Sequence, residues 1–252
     1  MSENPDGLKD KNWITDQLIS NNGSINYCVR WNTAYTSTAA NRTKTEAALN
    51  RSLNKWVQTL VGFEGFPLTE ADVKVVGYAV KDKNLLQGDT SGLDVYTTAD
   101  ADGVPECDVR CYRGAHLEDP GYLSECPGGE ESRYDISLWL DDGVTGVGGY
   151  GYNWGQELPP SYFFETVDDD NVHILLHEMG HGFGLLGEFD DSRSVGGLES
   201  GFVLTCMPDF YDWQPESQDS FVMMAGSAFE VTEFDAWMLR DWFRKLKAAR
   251  GW

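Results

Sequence analysis

Residues 172–185 constrain the fold of this chain more than any other stretch. They contain the pattern His-Glu-x-x-His within an apolar setting, and on a helix His177 and His181 project from the same face one turn apart. Two neutral imidazoles in that arrangement can bind one zinc ion, and Glu178 then lies where it can accept a proton from a metal-bound water. The chain therefore has to bury an ionisable cluster together with an apolar helix.

The flanks of this predicted helix carry further signals. Residues 168–171 are three aspartates and an asparagine, which suit a helix N-terminus, and Gly182 and Gly184 follow where the helix has to end. The same five-residue pattern also occurs on solvated helix faces. The apolar flanks, the glycine three residues after His181 and a methionine-rich turn downstream favour the zinc site.

Two further histidines are assigned other roles. His173 lies one turn before His177, and three histidines on a straight helix span roughly 12 Å, which is too far for all three to reach one ion. His173 is therefore expected to be a structural residue near the start of the helix. His116 is expected to be a loop residue.

The pattern His177-Glu178-x-x-His181-x-x-Gly184 resembles the metzincin clan of zinc peptidases. In that clan a third ligand, His or Asp, lies three residues beyond the glycine, and a Met-turn forms a floor under the metal. Here that position is Gly187, which has no ligand atom. Residues 208–212 are similar to the Gly-Leu-Pro-Asp-x-Tyr-Asp continuation of Asp-ligand members such as the bacterial small neutral proteases.

This similarity implies that residues 186–207 are an insertion and that Asp209 is the third zinc ligand. Glu188 and Asp190 are the competing ligands, because they are nearest in sequence to the zinc helix. Asp209 is favoured because it is followed by an aromatic segment that can fix the position of a carboxylate. The insertion is polar and rich in glycine, which predicts a loop. It is either a natural lid or an unspliced intron in the gene.

Residues 221–226 resemble the Met-turn, which implies that Met223, or else Met224, packs beneath the metal. By position, Tyr211 is a candidate to hydrogen-bond the oxyanion. The resemblance implies a zinc-dependent endopeptidase that hydrolyses protein or peptide substrates by metal-activated water, with Glu178 as general base. The chain is also similar to secreted fungal proteins, some labelled cellulose-binding. The alternative is thus a non-catalytic or glycan-binding protein on the same scaffold, with its nine tryptophans and eleven tyrosines as sugar-stacking platforms.

Hydrophobic periodicity predicts an α+β fold in a single domain over residues 1–252. The resemblance implies two lobes with a cleft between them. The upper lobe, 24–185, has a twisted mixed sheet with two helices, and the lower lobe, 208–252, is irregular with a C-terminal helix. Long helices are predicted at 38–61 and 232–249, a short helical turn at 13–19, and strands at 25–31, 73–80, 95–97 and 134–140.

Residues 143–155 are rich in glycine, with Tyr150, Tyr152 and Trp154 interleaved. Glycine lets another backbone approach closely, so the segment is either an edge strand or a loop. In the resembled clan, an edge strand at this point binds extended substrate by strand addition.

Charge and cysteine content bear on partners and location. The net charge of −22 repels nucleic acid and anionic membranes, so neither is expected as a partner, and no apolar run reaches transmembrane length. Cys107, Cys111 and Cys126 lie in a loop-like region, which predicts at least one disulfide; a zinc–thiolate site there lacks a second cysteine pair. A secreted monomer is expected, with its signal peptide outside this sequence.

Overall fold

A six-stranded sheet and five α-helices form the regular structure of the described chain. The computed structural model describes residues 7–119, 124–144, 148–185, 220–224 and 228–252. In chain order the elements are α1 (Ile14–Ser20), β1 (Ser24–Asn32), α2 (Ala39–Leu60), β2 (Asp72–Val80), β3 (Asp94–Tyr96), β4 (Ile136–Asp141), β5 (Tyr150–Tyr152), β6 (Gly155–Leu158), α3 (Pro160–Thr166), α4 (His173–Gly182) and α5 (Glu233–Arg250).

The sheet is mostly parallel, with strand order β3-β2-β1-β4-β6-β5. Only β5 runs antiparallel, against β6, and it forms one edge of the sheet. This mixture of helices with a mixed sheet is compatible with the predicted α+β class. The two-lobed arrangement implied by the metzincin resemblance stays a prediction.

Strand β1 lies in the middle of the sheet and is covered on both faces. The predicted apolar row of Ile25, Tyr27, Val29 and Trp31 is fully buried and belongs to the main core, which joins all five helices and residues 221–223. Cys28 points to a second, smaller core on the other face. Both faces are therefore shielded, as expected for a central parallel strand.

Two disulfides tie this second face together. Cys28 in β1 is bonded to Cys107, and Cys111 is bonded to Cys126. The prediction of at least one disulfide among the three loop cysteines is confirmed. The pairing of Cys28 was not predicted. No described helix is long and apolar enough to cross a membrane.

Helices α2 and α5 begin directly after Thr38 and Thr232, which are the first residues of the two predicted long helices. Thr38 accepts a hydrogen bond from the Asn41 amide, and Thr232 forms a capping box with Asp235. The apolar pattern of α5 predicts that Trp237 is buried with the other large apolar residues of this helix, but its side chain is 52% exposed. Its ring stacks on Phe234 on the outer side of the helix, while the inner face is set by Met238, Leu239, Phe243 and Leu246.

The approach to α4 differs from its predicted form. A short helix, α3, precedes it and was not predicted; Pro160 is its first residue, where the fixed backbone angle of proline suits the first turn. The acidic residues before α4 do not cap it, because the N-cap is Val172 and no side chain bonds there. Instead Asp168 pairs with Lys44 and Asp170 with Lys55, so these carboxylates anchor the segment to α2.

Candidate metal centre

Helix α4 is held from several sides by close contacts. The indole Nε1 of Trp56 in α2 donates to the carbonyl of Leu176, at 2.9 Å. A side chain at Gly180 would begin only 2.1 Å from the Met223 sulfur, and one at Gly151 only 2.1 Å from the Glu178 carbonyl. Glycine at these two positions therefore lets Met223 and strand β5 pack directly against the helix.

Three side chains with ligand atoms converge on one side of α4. The ligand atoms of His177, Glu178 and His181 lie within 4.8 Å of one another, and all three residues are buried. Across the described part of the chain, this is the one such convergence of three or more His, Cys, Asp or Glu side chains. The group can hold a metal ion.

Both imidazoles are oriented by backbone carbonyls. His177 Nδ1 lies 2.8 Å from the Val222 oxygen, and His181 Nδ1 lies 2.8 Å from the Leu185 oxygen. A carbonyl oxygen only accepts hydrogen bonds, so each Nδ1 carries the proton. The two Nε2 atoms then face each other at 3.1 Å. Metal-bound histidines in proteins usually have this outer hydrogen bond, which sets the tautomer and the ring orientation.

The separation of the two Nε2 atoms fits a shared cation. Two neutral imidazoles in this tautomer place their lone pairs against each other, which is repulsive without a positive charge between them. A shared proton or a metal ion removes the repulsion. On tetrahedral zinc with Zn–N bonds of about 2.0–2.1 Å, two nitrogens lie about 3.3 Å apart, close to the separation found here. The donor set and its spacing therefore suit zinc.

Met223 packs against helix α4. It is fully buried, with its sulfur beside Gly180, a residue between the two histidines in sequence. The preceding residue, Val222, supplies the carbonyl that orients His177. Met224 is half-buried. Segment 221–224 is thus in contact with both the helix and one imidazole.

Asp209, its competitors Glu188 and Asp190, and Tyr211 all lie outside the described residues, as does the insertion. His173 packs its ring against Phe229, with centroids 4.7 Å apart, and burial and the nearby His177 lower its pKa.

His116 lies in a 3₁₀ turn with a ring nitrogen 3.2 Å from the Val109 oxygen. Neither it nor His173 belongs to the metal-binding group.

Glu157 in β6 is a buried acid beside this site that the sequence did not single out. Burial, hydrogen bonding to Asp141 and the nearby charge of Glu178 raise its pKa to about 7, although Arg30 opposes the shift. Gly149 lies between Glu157 and Glu178, because a side chain at this position would meet both the Glu157 backbone and the Glu178 carboxylate. Only the sheet register places Glu157 in this position, so no local sequence signal marks it.

The raised pKa of Glu157 predicts a pH-dependent stability. A carboxyl whose folded pKa exceeds its usual 4.5 favours folding most below pH 4.5, and that contribution is lost as the pH rises through about 7. Glu157→Gln keeps a neutral side chain at every pH. We compare the unfolding free energy of the variant with that of wild type at pH 5 and at pH 8. We expect this difference to shift in favour of the variant by roughly 2–3 kcal/mol from the lower to the higher pH.

Urea unfolding at the two pH values measures this change. Glu165→Gln on the exposed side of α3 controls for the loss of one negative charge. Parallel pH profiles for Glu157→Gln and wild type would contradict the prediction.

Comparison of the chain with protein-family models, with curated proteins and with solved structures finds no match. The chemistry of this cluster therefore has to be argued from its own geometry.

Proposed function

We propose that the protein is a secreted zinc-dependent endopeptidase. The observation that carries the proposal is the buried pair of imidazoles, with both Nδ1 atoms bonded to carbonyls and both Nε2 atoms directed at one point beside Glu178. His177 and His181 would hold the zinc ion, with Asp209 as the proposed third ligand. Two disulfides support an oxidising, extracellular location.

Glu178 is placed to move a proton during hydrolysis. When bound, zinc would polarise the scissile carbonyl and lower the pKa of a coordinated water to near 7. Glu178 follows His177 in sequence but extends toward Gly149, so its carboxylate lies between the two histidines and the sheet edge. A carboxylate there accepts the proton of the attacking water and delivers it to the leaving amine.

Strand β5 supports an extended peptide as the substrate. It forms one edge of the sheet, and its Gly151 touches the backbone of Glu178. A peptide that added to this edge would receive main-chain hydrogen bonds and pass beside the general base. Gly149 and Gly151 have no side chain that would separate this edge from Glu178, which supports strand addition beside the general base.

Exposed aromatic rings favour a second candidate, glycan binding on the same scaffold. Phe229 is 68% exposed and Trp237 is 52% exposed, and the latter stacks on Phe234. Flat exposed rings are suited to stacking against sugars, and polysaccharide would then be the partner. Against this candidate, Trp13, Trp31 and Trp56 are fully buried and serve the core.

Casein cleavage and cellulose retention, measured on the same preparation, separate the two candidates. The peptidase proposal predicts cleavage that a chelator abolishes and zinc restores. Trp237→Ala should keep that cleavage. Zinc-free wild type that is retained on cellulose, with retention lost in Trp237→Ala and no cleavage, would favour the glycan-binding protein.

A further inference from the structure

Asp235 links the last helix to the candidate metal centre. It is fully buried in the first turn of α5, where its Oδ2 accepts from the amide and hydroxyl of Thr232 at 2.8 and 2.7 Å. The same carboxylate accepts from two amides of another segment, Val222 at 2.9 Å and Met223 at 3.1 Å. A helix cap needs only the Thr232 contacts, so the two additional bonds require another explanation.

One of the two additional bonds, that of the Met223 amide, connects the carboxylate to His177. The Met223 amide and the Val222 carbonyl belong to one peptide unit. The N–H of that unit donates to Asp235 Oδ1, and its oxygen accepts from His177 Nδ1 at 2.8 Å. A continuous chain therefore runs from carboxylate through peptide to imidazole. The corresponding bond of His181 goes to the carbonyl of Leu185.

We propose that Asp235 is a positioning residue for the metal centre, acting on His177 through the Val222–Met223 peptide. This rests on the metal site of the proposed function. A negative charge on the N–H side polarises the peptide and makes its oxygen a stronger acceptor. The stronger acceptor holds the Nδ1 proton in place, fixes the ring orientation and makes Nε2 a better ligand.

The same carboxylate also positions Met223. By binding the Met223 amide, it keeps the methionine sulfur against Gly180. None of the described residues forms an ion pair with Asp235, so its charge is balanced by four hydrogen-bond donors and by the N-terminus of α5. A buried charge held in this way is costly to misplace, which ties the position of segment 221–224 to that of the helix.

Zinc affinity of two folded variants tests the proposal. Asp235→Asn preserves the shape of the side chain but offers one acceptor oxygen in place of two. At least one of the Val222 and Met223 amides therefore loses its acceptor. We expect zinc affinity, measured by competition with a chromophoric chelator, to fall about 10- to 100-fold. Glu233→Gln removes one negative charge from an exposed side chain in the same first turn of α5 and should change the affinity less than twofold.

Equal zinc affinity in Asp235→Asn, Glu233→Gln and wild type would overturn the inference while leaving the zinc site and the peptidase intact. Wild type that binds no zinc would overturn the proposed function and this inference together. The readout is metal affinity, so a protein that binds zinc without cleaving peptides still tests Asp235.

A measurement on wild type covers the case in which Asp235→Asn does not fold. On zinc loading, the Met223 amide proton should move downfield in an NMR spectrum, because the whole chain of hydrogen bonds strengthens. The Thr232 amide bonds to the same carboxylate outside that chain and should move less. A Met223 shift no larger than that of Thr232 would contradict the inference.

Discussion

Glu178→Gln should lower kcat/KM for peptide hydrolysis about 10³-fold while the protein keeps its zinc. Glutamine has the same shape, so it fits the buried position between α4 and Gly149. It cannot accept a proton, so the attacking water is no longer activated by a base. Steady-state cleavage of a fluorogenic peptide, with zinc content measured on the same samples, gives both quantities.

The same variant separates two roles for Glu178. Its carboxylate lies within 4.8 Å of the histidine ligand atoms, so a direct ligand role is the competing explanation. A general base predicts lost activity with unchanged zinc affinity, whereas a ligand predicts that both fall. Glu165→Gln, an exposed residue on α3, is the matched control. Hydrolysis at the wild-type rate in Glu178→Gln would refute the mechanism.

Removal of zinc should lower the melting temperature by on the order of 10 °C. A ligand present at a thousand times its Kd stabilises the folded state by about 4 kcal/mol, and for a chain of this size 1 kcal/mol corresponds to about 2–4 °C. Metal-free protein also regains the repulsion between the two Nε2 atoms, 3.1 Å apart, unless a proton is taken up. Thermal unfolding before and after dialysis against EDTA measures the shift.

A double variant, His177→Ala with His181→Ala, provides the control for chelation. It should melt at the same temperature with and without EDTA, because no site remains. A zinc-loaded wild type whose melting temperature does not respond to EDTA would show that no metal bound at these histidines contributes to the fold.

Local patterns predicted the long elements of this fold. The predicted strands at 25–31 and 73–80 match β1 and β2 to within one residue at each end. The predicted helices at 38–61 and 232–249 start at the threonines that cap α2 and α5. The His-Glu-x-x-His spacing was sufficient to identify the three converging side chains, because α-helical geometry alone brings residues four apart together.

Features that depend on long-range packing were not predicted. The aspartates before α4 look like helix caps, but the lysines of α2 bind two of them. Asp235 looks like an ordinary capping residue, and its bonds to segment 221–224 depend on how α5 docks. Trp237 fits an apolar stripe by type, yet it lies just outside the buried arc. In each case, the role of the residue depends on which other elements lie beside it in the folded chain.

Titration of metal-free protein with zinc, followed by both bound metal and peptide cleavage, tests the central claim most directly. The account predicts that one zinc binds per chain and that cleavage rises in proportion to bound zinc, reaching its maximum at one equivalent. Both responses should disappear when His177 and His181 are replaced by alanine. Cleavage by metal-free protein at the full rate, or a fully zinc-loaded protein that cleaves no peptide above the blank, would contradict it.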